Sequence, residues 1–108
     1  MKGDHIGEFE ELVLLTIQGL GEDAYGVSIK TRLDRETRRE ISLGAVYAAL
    51  DRLEAKDLVD SALTPGTSVR GGRRRRAFAI TADGRRTLRY LRSLRERLWR
   101  AALAREES

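Results

Sequence analysis

The spacing of the apolar residues changes period twice along this chain, and that change limits the folds open to it. Phe9, Leu12, Val13, Thr16, Ile17 and Leu20 recur at i, i+3, i+4, i+7, i+8 and i+11, the stripe of an amphipathic helix. Val59, Ser61 and Leu63, and then Arg76, Phe78 and Ile80, alternate in the manner of half-buried strands. After Thr81 a helical pattern returns and runs to about Arg105. The pattern predicts helices first, one hairpin next and a last helix after it, a mainly α chain with a small β-hairpin.

Local signals place the boundaries. Glu8, Glu10 and Glu11 occupy the first turn of the first helix, where carboxylates complement the helix dipole, and Gly19 and Gly21 stand where that helix ends. Asp23 is the candidate cap of a second helix from about Tyr25 to Thr37, and Gly26 within it points to a close helix contact. Arg38 to Ile41 reads as a connector or one pairing strand, and Ser42 as the N-cap of a third helix ending near Lys56. At about 100° per residue, Val46, Leu50 and Leu53 share one face of it. Gly44, Ala45, Ala48, Asp51, Arg52 and Ala55 then lie broadly opposite. Pro65 and Gly66 break the first strand, Gly71 and Gly72 precede the run Arg73 to Arg76, and Thr81 caps the last helix.

That last helix has too few apolar residues left around it to be an ordinary core element. Leu91, Leu94, Leu98 and Ala101 follow the 3, 4, 3 spacing of a coiled-coil seam, widened by Leu88 and Trp99. The expected partner is a second copy of the chain, and the expected division is a head over residues 1–81 and a dimerisation helix over residues 82–108.

Charge narrows the partners further. The chain has 108 residues and a formal net charge of +4, unevenly spread. Residues 1–69 carry 8 basic and 13 acidic side chains, a balance of −5, whereas residues 70–108 carry 13 basic and 4 acidic, a balance of +9. Of the 21 basic residues 18 are Arg, whose planar fork binds phosphate bidentately. A polyanion is the first partner to consider. The absence of Cys removes disulfides, thiolate metal sites and cysteine nucleophiles, and no apolar run approaches the ~18 residues of a membrane span. The expectation is a soluble, cytoplasmic protein without membrane association. His5 with Asp4 and Glu8 reads as a solvated terminus rather than a metal site, no P-loop spacing accompanies Gly71 and Gly72, and no serine has a base beside it. Neither an enzyme nor a cofactor is expected.

Helix, helix, helix, strand, basic loop, strand is the order of a winged helix-turn-helix, in which the third helix enters the major groove and the hairpin wing meets the backbone or the minor groove. Gly44, Ala45 and Ala48 let a backbone approach closely, and the five Arg between positions 70 and 76 are placed for phosphate contacts.

The residues also carry a family resemblance. Asp23, Ala24, Tyr25, Gly26, then Ser42, Leu43, Gly44, Ala45, Val46, Tyr47, then Leu50, Arg52, Leu53, Glu54, Leu58 and Val59 resemble the pattern of PadR-type transcriptional regulators. Gly71, Gly72, Arg73 to Arg76, Phe78, Ile80, Thr81 and Gly84 resemble that family's wing and the helix after it. Ala77 and Ala79 depart from it, standing where relatives often carry an aromatic and a long polar residue. The resemblance implies a dimeric, repressor-like protein binding double-stranded DNA, with a C-terminal helix used for dimerisation, of the short-tailed type.

It also implies that Ser42 and Gly44 open the recognition helix and that Tyr47 lies beside the DNA backbone. On the helical wheel Tyr47 sits at the edge of the buried face, so a core tyrosine with its hydroxyl turned outward is an equal reading. Ala45 and Ala48 offer methyl contacts, and Arg52 is the outward side chain able to pair bidentately with guanine. Arg70, Arg73, Arg74 and Arg75 are the expected phosphate ligands of the wing. Trp99 either packs in the dimer seam or lines a cleft in which a flat aromatic effector stacks. The competing function is a winged-helix protein-interaction module whose basic wing docks an acidic partner protein.

Overall fold

The computed structural model describes residues 6–64 and 74–107. Along the chain run helix α1 (Glu8–Leu20), a single 3-10 turn (Gly21–Asp23), α2 (Gly26–Thr37), α3 (Leu43–Ala55), strands β1 (Val59–Leu63) and β2 (Arg76–Ile80), and α4 (Ala82–Glu107). The expected order of elements is the observed one. The loop expected around Pro65, Gly66, Gly71 and Gly72 lies outside the described residues.

One core joins the first three helices to the hairpin. Val13, Leu14 and Ile17 of α1 meet Ile29 and Leu33 of α2, Val46, Ala49, Leu50 and Leu53 of α3, and Leu58, Val59 and Phe78 from the hairpin side. Burying each Leu or Ile in this set contributes about 1.5–3 kcal/mol. The buried face of α1 is rotated from the expected stripe. Leu14 is fully buried while Phe9 and Leu12 are only partly so, because α1 is the central helix and packs on α2, α3, β2 and α4. The same rotation buries Glu10 and Glu11.

Asp23 does not cap α2, contrary to the sequence expectation. The 3-10 turn takes up Gly21–Asp23, and Tyr25 is the N-cap residue in extended conformation, forming a bridge to Ala77. The Phe78 N–H donates to the Ala24 carbonyl at 2.9 Å, so this short stretch pairs with the edge of β2. Ser28 organises the helix start instead, its Oγ accepting from the Tyr25 N–H at 2.8 Å and donating to the Asp23 carbonyl at 2.6 Å.

Between α2 and α3 the chain turns at Arg38, which is left-handed with φ 57°. Asp34 holds the turn, accepting from the Ile41 N–H at 2.7 Å and from Lys30 Nζ at 2.5 Å. The Lys30 hydrogen bond first, and the Ile41 amide second, keep the Asp34 carboxyl below the ordinary aspartate range. Ser42 then caps α3 as expected, its Oγ accepting from the Ala45 N–H at 3.0 Å.

The strands are antiparallel, with Val59 opposite Ile80, Ser61 opposite Phe78 and Leu63 opposite Arg76. Thr81 joins hairpin and tail. Its Oγ1 accepts from the Gly84 N–H at 3.0 Å and donates to the Asp57 carbonyl at 2.8 Å. Gly84 lies so close to the hairpin that a β-carbon there would stand 2.6 Å from Ile80 Cγ1. Thr87 is buried and Leu88 packs against the core, so the first two turns of α4 belong physically to the head. No helix among the described residues is long and apolar enough to cross a membrane.

Candidate nucleic-acid interface

The buried row of α3 leaves its other face open. Ser42, Gly44, Ala45, Ala48, Asp51 and Arg52 are all exposed, while Val46, Leu50 and Leu53 are completely buried. At Gly44 a β-carbon would meet no heavy atom within 4 Å, so the start of this face is open.

Tyr47 lies where this face meets α2 and is 39% exposed. Its ring rests on Gly26 so closely that a β-carbon at Gly26 would overlap the phenol and stand 2.9 Å from Tyr47 Cε1. The close helix contact expected of Gly26 is therefore this one, to the aromatic ring of α3. No partner among the described residues holds the Tyr47 hydroxyl.

Around that ring opens a cleft of about 750 Å³ between the start of α2, Tyr47 and the base of the wing. Tyr25, Ser28, Arg32 and Arg35 line one side, and Arg74 and Arg75 the other. The Arg75 guanidinium sits 4.8 Å above the Tyr25 ring centroid, a cation–π contact that holds it at the rim. Arg74 and Arg75 are exposed, and Arg70 and Arg73 lie outside the described residues.

Arg76 points elsewhere. Its Nη1 donates to Ser61 Oγ at 2.8 Å, and Ser61 Oγ donates to the Glu54 carboxylate at 3.0 Å, tying the second strand to the last turns of α3. A smaller cleft of about 450 Å³ beside it is lined by Asp51, Glu54, Ala55 and Arg76. Arg76 also lines the larger cleft, so the described base of the hairpin adjoins Tyr47 in one cleft and Asp51, Glu54 and Ala55 of α3 in the other.

Arg52 does not extend freely from α3. Its Nε lies 3.5 Å from Glu10 Oε2, and the same carboxylate accepts from Lys56 Nζ at 2.7 Å through Oε1. Burial pushes the Glu10 carboxyl up, but the Lys56 hydrogen bond, the Gly7 amide and the charges of Lys56 and Arg52 outweigh it and hold the group below its ordinary value.

The residues expected in a dimer seam divide into two sets. Leu88 is packed against the head, and Leu91 and Leu94 are half-buried. Leu98 is 62% exposed, Trp99 is 65% exposed, and Ala101 is exposed as well. A groove of about 410 Å³ runs between α1 and α4, floored by Leu15, Leu88 and Trp99 and rimmed by Arg85, Arg89 and Arg92. Among the described residues no group of three or more His, Cys, Asp or Glu is placed to hold a metal ion.

Sequence reasoning missed Tyr25, Arg32 and Arg35 as neighbours of the Tyr47 cleft. A signal existed in the i, i+4, i+7 spacing of Ser28, Arg32 and Arg35, which puts them on one side of α2. The engagement of Arg52 by Glu10 had no local signal, since the two stand on different helices with all of α2 between them in the chain, and only the packing of α1 on α3 unites them.

Comparison with known proteins agrees with this geometry. The model of the transcriptional regulator PadR-like family matches residues 13–90. No curated protein matches the chain. Among solved structures, a PadR-like transcription factor from Bacteroides fragilis is similar with TM-score 0.73 and 24% identity, over 89% of this chain and 87% of that one. A PadR family transcription regulator from Clostridium difficile is similar with TM-score 0.69 and 26% identity, over 94% of this chain and 100% of that one. A PadR-like transcriptional regulator from Bacillus cereus gives TM-score 0.74 and 22% identity, over 93% and 92%. With the family model matched over residues 13–90 and the fold shared with these structures, this chain belongs to the PadR-like family of transcriptional regulators, DNA-binding proteins of winged helix-turn-helix fold.

Proposed function

We propose that the chain is a homodimeric repressor that occupies a pseudo-palindromic DNA operator. The observation that carries this reading is the Arg-lined cleft between Tyr25, Tyr47 and the base of the wing, into which α3, with Gly44, Ala45 and Ala48 exposed, contributes Tyr47. Ser42, Gly44, Ala45 and Ala48 enter the major groove, where the two alanines meet thymine methyl groups. Tyr47 turns its hydroxyl to the backbone, and Arg74 and Arg75, with Arg70 and Arg73, take phosphates. Each phosphate so neutralised releases condensed counterions, so most of the affinity is electrostatic and falls with salt.

The distal half of α4 supplies the dimer contact. Leu98 and Leu103 are exposed apolar side chains on a helix that extends past the head, and a second α4 is the surface that covers them. The groove beside Trp99 receives a flat aromatic effector that releases the operator.

Selection of bound duplexes from random DNA, followed by salt titration, tests the reading. A recovered site should bind tighter than bulk DNA by ~10³-fold or more. Equal affinity for every duplex, with capture of an acidic protein instead, would establish the protein-interaction module. Trp99 is the only tryptophan, so its fluorescence reports the effector groove directly, and quenching by planar compounds should be absent in Trp99→Phe.

A further inference from the structure

We propose that Glu10 is a positioning residue for DNA binding, which holds Arg52 back against α1 so that α3 engages a matched base edge but not DNA in general. The inference rests on α3 being the reading helix.

Arg52 is the only basic residue within Leu43–Ala55, so it alone can bring positive charge from α3 into a groove. Asp51 and Glu54 on the same helix are exposed acids. With Arg52 drawn towards α1, the charge that α3 presents is negative, which opposes indiscriminate approach to phosphates.

The strength of the restraint suits this purpose. The Glu10 side chain is only 9% exposed, and a buried carboxylate must keep cationic or hydrogen-bonding partners. Lys56 meets that need with a full hydrogen bond at 2.7 Å, so Glu10 stays satisfied when Arg52 leaves. Arg52 is held at 3.5 Å, an ion pair without hydrogen-bond contact, and its own side chain is 53% exposed. Such a pair is weak, whereas two parallel hydrogen bonds to a guanine edge are strong and directional. The exchange therefore runs towards DNA only where a bidentate acceptor lies within reach of Arg52.

The test measures binding to a random-sequence duplex and to a duplex recovered by selection with the natural protein. Glu10→Gln should tighten binding to the random duplex by about two- to fivefold, the range of a weak ion pair. It should also steepen the slope of log affinity against log salt by about 0.9, the effect of one further phosphate neutralised. The selected duplex should gain less, so the ratio of the two affinities falls. Placed on an Arg52→Ala background, Glu10→Gln should change neither binding constant. An equal gain on that background, an equal gain from Glu8→Gln, which removes the same charge from an exposed position, or no gain at all would each overturn the proposal.

Arg52→Ala alone gives an independent check, because that side chain is half exposed and its loss leaves Glu10 with Lys56. It should weaken the selected duplex by about tenfold while leaving the random duplex nearly unchanged. Equal weakening of both overturns the proposal. Failure of the underlying DNA reading looks different, since Arg74→Ala/Arg75→Ala would then leave binding to both duplexes unaltered.

Discussion

Glu11 and Arg95 are 84 positions apart in sequence and form a two-point ion pair, Nε to Oε2 at 3.0 Å and Nη2 to Oε1 at 2.5 Å. The hydrogen bonds to Glu11, and then its charge, raise the Arg95 guanidinium above its ordinary range. This contact pins α4 to α1 close to the point where the tail helix leaves the head. Arg95→Ala should release the distal half of α4, seen as faster amide exchange over its last three turns while α2 and α3 exchange as before. Unchanged exchange there would show that the leucines alone hold the helix.

Gly26 and Tyr47 set the spacing of α2 and α3. Gly26→Ala places a methyl group inside the Tyr47 ring position and should destabilise the fold by about 1–3 kcal/mol, measured by chemical denaturation. Combining it with Tyr47→Ala removes the overlap, so the pair should be less destabilising than the sum of the two single changes.

The wing makes a quantitative prediction about salt. Arg74→Ala/Arg75→Ala should weaken binding to selected and random duplexes alike and flatten the salt slope by about 0.9 for each phosphate no longer neutralised. A lower affinity with an unchanged slope would mean that these side chains contact bases or shape the wing instead.

Leu98 is the most direct probe of the proposed dimer, because it is 62% exposed and makes little contribution to the head. Leu98→Glu should yield folded monomers in sedimentation equilibrium, with helix content close to that of the natural chain. Leu91→Glu is a less selective change, since Leu91 is half-buried within its own protomer.

Glu10 gives a pH dependence with a definite sign. Its folded value lies below the ordinary 4.5, so the carboxylate form stabilises the fold. That contribution is complete above about pH 4.5 and is lost as pH falls through the lower folded value. Acid unfolding followed by circular dichroism should therefore show Glu10→Gln less stable than the natural chain near neutrality, with the difference closing as the pH drops below 4.5.

Much of this architecture was legible because local patterns and final environment agree. Val46, Leu50 and Leu53 share a face by periodicity alone and are fully buried, and Arg76–Ile80 alternates in sequence and pairs as a strand. Asp23 misled because two mechanisms compete at a helix start. A side-chain cap is a local preference, but the pairing of residues 24–25 with β2 is a long-range contact that extends the backbone at Tyr25 and leaves the hydroxyl of Ser28 to organise the turn.

The amino-acid sequence by itself determined the order of elements, the open face of α3, the basic run of the wing and a tail helix too apolar on one side to stand alone. These follow from period, composition and capping, which act over a few residues. Only the tertiary structure decided that α1 turns Glu10 and Glu11 inward, one towards Arg52 and Lys56 and the other towards Arg95. The physical reason is that α1 packs against several elements at once, so the face it buries is the compromise among all of them rather than the stripe its own residues prefer.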